Sequence, residues 1–380
     1  MTMEVCFFGT YEKDYPMNRV IIKGLKKNGI AVKECHVSLW EKHRDKHGKF
    51  LTIASLARFA IDMLLAYFKL GARYFSTHRN SDAVIVGYIG QLDIIFLRFL
   101  TIFTRKKPKI IFVPLVSLYD TAIVDRNLSK EKGFFAKVLF FIDKLSFRSA
   151  DVMIMDTDEH VKYISSLFSL DENKLKRVWV GADEDVFYPI DAKVNSDKFT
   201  ALFFGKYIPL HGIEYIIKAA KMLENDGVRI RMVGNGQLYE KMLDLSKKLG
   251  VVNVDFVKWI EYNELLNEIA KADVVLGVFG GSKKASRVIP NKVFQAIACR
   301  KAVITGETPA IREFFKDRED ILFCLNKDPR SLAESILLLR NSPELKKTIE
   351  ENAYLLFKAN ADLEKIGIGV KETIMSVLNK

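Results

Sequence analysis

The sequence predicts an α/β protein made of two parallel-sheet domains, and three observations carry that expectation. Short β-branched runs at 83–87, 110–115, 228–233 and 274–278 alternate with helical stretches, the pattern of parallel strands joined by crossover helices. The alternation breaks once, where Ala182-Asp183-Glu184-Asp185-Val186-Phe187-Tyr188-Pro189 leads into the polar run 191–198, and it restarts at 199. At 380 residues with 49% hydrophobic content, the chain can fill two cores. The expected division is 1–189, 190–360 and a last helix over 361–380.

The first part begins with a buried strand, 4–8, ending at Gly9, a candidate substrate contact at the strand's C-terminal end. A dinucleotide site would place three spaced glycines here, and GTYEKDYPMN supplies one, which argues against a dehydrogenase. A helix over 17–27 is closed by Asn28-Gly29, and 30–37 reads as a second strand. The stretch 41–49 sets His43 and His47 four apart beside Glu41 and Asp45, but Lys and Arg dominate it, so it reads as solvated surface rather than a metal site. Over 50–75, apolar residues cover most of a helix, with Arg58, Asp62, Lys69 and Arg73 in one narrow polar stripe. Those charges argue against a spanning helix. The stretch fits either a half-buried helix or one lying in a membrane interface. A second apolar helix, 92–103, runs into Arg105, Lys106, Lys107 and Lys109, a cluster that anionic lipid head groups attract by about 1 kcal/mol per residue.

Charge is uneven. Residues 1–150 hold 25 Lys/Arg against 13 Asp/Glu and the remainder holds 34 of each, so the whole formal excess of +12 lies in the first part. A basic domain suggests an anionic membrane surface or substrate. Nucleic acid is the weakest partner, because no finger, basic zipper or aromatic RNA-binding signature is present. Cys6, Cys35, Cys299 and Cys324 are scattered without zinc-type spacing and read as reduced core residues. MTMEVCFFGTYEKDY offers no cleavable signal, so a cytoplasmic protein attached peripherally to the inner membrane face is expected.

Ligands of parallel sheets sit beyond the strand C-termini. In the first half those positions are Gly87-Tyr88-Ile89-Gly90 and the run from Ser117 through Asp120 to Asp125-Arg126. Asp120 is the candidate base, although it could equally cap or pair. After a strand at 150–155, Asp156 and Glu159 read as an N-cap with its reciprocal partner rather than as a metal–diphosphate ligand, and 178–181 reads as another strand.

In the second half, a strand at 199–204 leads into Gly205-Lys206-Tyr207-Ile208-Pro209-Leu210-His211-Gly212 and a helix, and a strand at 228–233 ends at Gly234-Asn235-Gly236. Strands at 254–257 and 274–278 flank a helix over 262–270. The stretch 286–315 reads as loop, helix, strand, loop, with Pro290 at the first helical position and Asn291 and Lys292 behind it. A helix N-terminus is a natural seat for phosphate. With Gly205, Gly234, Gly236, Lys206 and His211 it makes a diphosphate cradle, and Gln295, on the face of Lys292, suits ribose hydroxyls. Three helices close the chain at 331–339, 344–356 and 363–378.

Four segments now resemble glycosyltransferase family 4, in that family's order: VWVGADEDVFYP (178–189), FFGKYIPLHGIEYIIKAA (203–220), RMVGNG (231–236) and RVIPNKVFQAIACRKAVITGETPAIRE (287–313). The resemblance covers 178–313. It implies a GT-B fold, with two Rossmann-like domains facing across a cleft and the last helix returning to the first domain. It also implies transfer of a sugar from a nucleotide diphosphate, a UDP-sugar for preference, with retention at the anomeric carbon and no required metal or other cofactor. The first domain would receive a glycan or lipid-linked acceptor at the membrane.

Family practice puts two basic side chains on the diphosphate, at Lys206 and His211 here, and extends the donor site to the Glu313 position. Lysine stands where arginine is usual, and histidine, with a reference pKa near 6.5, stands where lysine is usual. The family's two glutamates are replaced by Arg287 and Gln295. Gln295 still bonds a diol, less strongly than a carboxylate. Arg287 reverses the charge beside the donor sugar, which leaves an altered active site, a uronic-acid donor, or a nucleotide-sugar-binding scaffold without turnover. A sugar-nucleotide epimerase shares the architecture but has no need of basic apolar helices.

Overall fold

The computed structural model describes residues 3–40, 53–191 and 197–379. The stretch read as solvated surface at 41–49, with His43 and His47, lies outside them. The first half runs β1 (Glu4–Gly9), α1 (Pro16–Lys27), β2 (Ala31–His36), α2 (Ile53–Arg73), β3 (Ala83–Val86), α3 (Gln91–Ile102), β4 (Lys109–Phe112), α4 (Phe134–Ser149), β5 (Val152–Met155), α5 (Asp158–Phe168) and β6 (Leu175–Arg177). The second runs β7 (Phe199–Phe204), α6 (Ile213–Met222), β8 (Val228–Val233), α7 (Tyr239–Leu249), β9 (Val254–Val257), α8 (Leu265–Lys271), β10 (Val274–Leu276), α9 (Asn291–Ala298), β11 (Ala302–Gly306), α10 (Pro309–Arg312) and β12 (Leu322–Cys324). Helices α11 (Pro329–Asn341), α12 (Pro343–Asn360) and α13 (Leu363–Leu378) close the chain.

Among the described residues these strands form two six-stranded sheets, ordered β2-β1-β3-β4-β5-β6 and β12-β11-β10-β7-β8-β9, with every neighbouring pair parallel. Parallel strands are covered on both faces, and the near-continuous apolar runs follow from that. Val5 and Phe7 of β1 face one core with α1 and α13, whereas Cys6 and Phe8 face another with Leu70 of α2, Leu97 of α3 and Phe147 of α4. All four cysteines are free and buried.

Helix α13 packs across α1 so closely that a Cβ on Gly24 would lie 2.5 Å from the Leu363 carbonyl oxygen, and one on Gly367 would lie 2.1 Å from that of Gly24. The acidic run after 182 has a local cause. Asp183 accepts from Arg19 at 2.8 Å and from Lys23 at 2.9 Å, and Glu184 pairs with Lys27 and Lys358. These pairs hold the connection between the halves against α1.

The structure moves three boundaries. Residues 178–181 form no strand, and the edge strand is β6, three residues earlier. Pro290 is the N-cap of α9, with an extended ψ of 146°, rather than its first helical residue. At α5 the cap is Thr157, whose hydroxyl accepts from the His160 amide, and Asp156 instead binds the His160 ring. Among the described residues no helix is long and apolar enough to cross a membrane.

Candidate active site

The loops after the strands of both sheets meet in one cleft, and the first group of candidates belongs to the second domain. Gly205 follows β7 and Gly234 follows β8, both with a φ of +141° that side chains rarely adopt. A Cβ on Gly234 would lie 1.9 Å from the Gly205 carbonyl oxygen. A Cβ on Gly236 would lie 2.7 Å from the Tyr207 nitrogen, which itself donates to the Asn235 carbonyl at 3.0 Å. The two turns therefore interlock backbone to backbone. The bare α-carbon of Gly205 faces two basic side chains: a Cβ there would meet the His211 ring at 3.3 Å and Lys292 Nζ at 3.4 Å.

These two side chains converge at the turn in an unusual electrostatic state. His211 is buried and donates its Nδ1 proton to the Lys206 carbonyl oxygen at 2.5 Å. Burial, and then the neighbouring Lys292, push its pKa well below the ordinary value, so Nε2 is a bare acceptor. Lys292 is 5% exposed, with Nζ 3.6 Å from the centre of the Phe203 ring and 3.4 Å from the Gly277 carbonyl oxygen. Burial pushes its pKa well down too. Lys206 is exposed at the mouth. Gln295 is buried beside Tyr262, and Asn291 reaches the hydroxyl of Tyr15 in the first domain.

The remaining candidates lie elsewhere. Gly9 carries no open phosphate loop: a Cβ on it would lie 2.4 Å from Asp93, a buried carboxylate that accepts from the Thr10 amide at 2.7 Å and the Tyr67 hydroxyl at 2.8 Å. Glu313 crosses the cleft, where its two oxygens accept from the Asp158 and Glu159 amides at 2.7 and 2.8 Å and so hold the first turn of α5. Asp156 and Asp158 are each engaged, with His160 at 2.6 Å and Arg177 at 3.1 Å.

Asp120, the candidate base, is fully buried in an ion pair with Arg287 at 2.7 Å and accepts from the Tyr163 hydroxyl at 2.9 Å. Arg287 also lies 3.5 Å from the centre of the Tyr163 ring. Its charge is paired within the protein by that of Asp120. Sequence reasoning did not find Tyr163, Lys284 or the clamp at Glu313. One signal was available: a reversed charge at 287 calls for a carboxylate nearby.

Residues 188–356 match the family described as Glycosyl transferases group 1. An uncharacterized glycosyltransferase of Methanocaldococcus jannaschii is 26% identical over 214 residues, 56% of each chain, and a second from that organism is 23% identical over 249 residues, 62% of each. The chain thus spans little more than half the length of these relatives. Among solved structures, Anabaena HepE in complex with UDP superimposes with a TM-score of 0.70 at 14% identity, covering 99% of this chain and all of that one. Sucrose-phosphate synthase from Thermosynechococcus elongatus gives 0.74 at 14%, with both chains fully covered. The chain has the GT-B fold, and its residues 188–356 are similar to the group 1 glycosyltransferases.

Proposed function

We propose that this protein is a glycosyltransferase that moves a sugar from a nucleotide diphosphate, with UDP as the favoured nucleotide, to a membrane-associated or lipid-linked glycan. One observation carries the reading: two interlocked glycine turns leave bare backbone beside His211 and Lys292 at the start of α9, with Lys206 exposed at the mouth. Similar structures were solved with UDP and with UDP-glucose, which supports a nucleotide-sugar donor.

In the reaction the bond from the anomeric carbon to the phosphate oxygen breaks, and its electron pair leaves with the diphosphate. The acceptor oxygen forms the new bond, and its proton passes to the departing phosphate oxygen on the same face, which retains the configuration. Lys206 and Lys292 offset charge as it grows on the diphosphate, a contribution larger in the transition state than in the ground state. That work is proposed to need no metal. His211 contributes as a donor only once protonated, and a bound diphosphate draws that proton onto it.

The membrane reading rests on the exposed residues of α2, α3 and α4, which lie side by side on one face of the first sheet. Phe68, Phe99, Phe103, Phe134 and Phe141 are all more than half exposed, with Lys69, Arg105, Lys137 and Lys144 beside them in sequence. An apolar surface among cations suits an anionic bilayer. A groove of about 340 Å³ between α2 and α3, lined by Tyr67, Phe68, Gly71, Ala72, Phe96 and Leu100, adds to it.

The test is release of nucleoside diphosphate from UDP-, GDP- and ADP-sugars, with and without a lipid extract. Lipid-dependent release from one donor, lost in Lys206→Ala and Lys292→Met, is expected. Tight donor binding without release under any condition would replace the enzyme with a binding scaffold.

A further inference from the structure

Helices α2 and α3 run side by side in the same direction, because Tyr67 meets Asp93 at 2.8 Å and, one turn on, Gly71 faces Phe96 and Leu100. The groove of about 340 Å³ lies between them. Gly71 and Ala72 leave it open: a Cβ added to Gly71 would stand 3.4 Å from the Phe96 ring and 3.8 Å from Leu100. Its two ends differ. Asp93 also accepts from the Thr10 amide at 2.7 Å and lies against Gly9, so the Tyr67 end sits at the C-terminal end of β1, on the side of the cleft. Leu100 marks the other end, within a turn of the end of α3 and of the exposed Ile102, Phe103 and Arg105.

The lining narrows what can lie there. Its one polar side-chain group, the Tyr67 hydroxyl, is spent on Asp93. An extended peptide would leave backbone N–H and C=O groups without partners. A helix is about 10 Å across, as wide as the spacing of two packed helices, and would lie over α2 and α3 rather than between them. A hydrocarbon chain is thin and has no polar group to satisfy. Charge adds a phosphate: between 64 and 107 the acids are Asp82, paired with Lys106 at 2.8 Å, and the buried Asp93, whereas Lys69 and Arg105 are exposed.

We propose that this groove holds the hydrocarbon chain of a phosphate-linked lipid acceptor, with the glycan end delivered to the cleft beside β1. The inference rests on the membrane and lipid-linked reading above and gives the acceptor's chain a site of its own. The cleft-side end favours the acceptor over a bilayer lipid, because a chain seated from there leaves its head group at the cleft.

Calorimetry of the full chain with n-alkyl phosphates below their micellar concentrations tests this, beside flotation on phosphatidylcholine vesicles with and without phosphatidylglycerol. Affinity should rise about two- to fourfold with each methylene from hexyl to decyl and level off by tetradecyl, once the groove is full. Gly71→Leu and Ala72→Phe fill the groove from two positions, and each folded variant should bind decyl phosphate at least tenfold more weakly. Phe134→Ser, on α4 and outside the groove, should weaken flotation and leave decyl phosphate affinity within twofold. Dihexanoyl phosphatidylglycerol, with two chains, should compete at least tenfold more weakly than decyl phosphate, and equal competition would give the groove to bilayer lipid and overturn the acceptor chain. Growth in affinity unbroken through tetradecyl, or affinity that survives both fillings, overturns the groove. Flotation on anionic vesicles with no dependence on chain length overturns the groove alone. Neither flotation nor alkyl phosphate binding overturns the membrane reading and the groove together.

Discussion

Replacing Lys292 with methionine should stabilise the protein and weaken its hold on a diphosphate, two effects of opposite sign at one atom. The stem of Lys292 is packed, its Nζ rests 3.6 Å from the Phe203 ring centre, and no carboxylate pairs with it among the described residues. Exchanging such a buried, unpaired amine for an apolar chain of similar volume removes its desolvation cost, so a higher melting temperature is expected. Losing a charge-assisted bond to phosphate costs about 1.5–3 kcal/mol, a factor of roughly 10–150 in Kd.

Proton linkage supplies an independent readout. Burial lowers the pKa of Lys292 in the free protein, and an adjacent diphosphate raises it again. Wild type should then take up protons on binding, and its affinity should fall as pH rises through the free-state pKa, by up to tenfold per pH unit for each proton. Titration in two buffers of different ionisation enthalpy counts those protons. Lys292→Met should take up fewer, with the remainder belonging to His211. A variant that melts lower, binds the diphosphate as tightly and takes up the same protons would reduce Lys292 to a packing stem.

Further outcomes follow from other contacts. Gly234→Ala places a methyl 1.9 Å from the Gly205 oxygen at a φ of +141°, so a loss of more than about 2 kcal/mol is expected, read as a lower melting temperature. Glu313→Ala frees two amides of α5 and should cost about 1–2 kcal/mol, whereas Glu313→Gln should recover part of it. Burial raises the Asp93 carboxyl to about 6. A carboxyl raised on folding contributes stability that is present below about pH 4 and lost as pH rises through about 6, amounting to about 3 kcal/mol. The gap in stability between wild type and Asp93→Asn should shift across that window, and a gap constant from pH 4 to 7 would refute the assignment.

The sheets were legible because period and punctuation carry them. Apolar runs such as 199–204 and 228–233, each closed by glycine, have few readings besides a buried parallel strand. The two glycine turns and the start of α9 were legible for a related reason: they are local features, and Lys206, His211 and Lys292 lie within them. The contacts across the cleft were not. Asp120 meets Arg287 over a sequence separation of 167, and Glu313 meets Asp158 over 155, so no spacing rule reaches them. Asp156 was misread because its neighbour Thr157 also caps helices, and only the burial of His160 decides which of the two turns inward.

The distribution of contacts across the seam suggests how the site works. The described bonds joining the domains near the candidate site are polar: Asp120 with Arg287, Lys284 with the Thr121 hydroxyl, the Thr157 hydroxyl with the Arg287 carbonyl, and Glu313 with α5. Polar seams of this kind allow domains to part, because water replaces each bond at small net cost. Both chain crossings are fastened differently. The 183–184 segment is paired to Arg19, Lys23 and Lys27 of α1, and α13 is locked on α1 through Gly24 and Gly367. Motion should therefore pivot at those crossings and open the face that holds the cradle and the Asp120–Arg287 cluster.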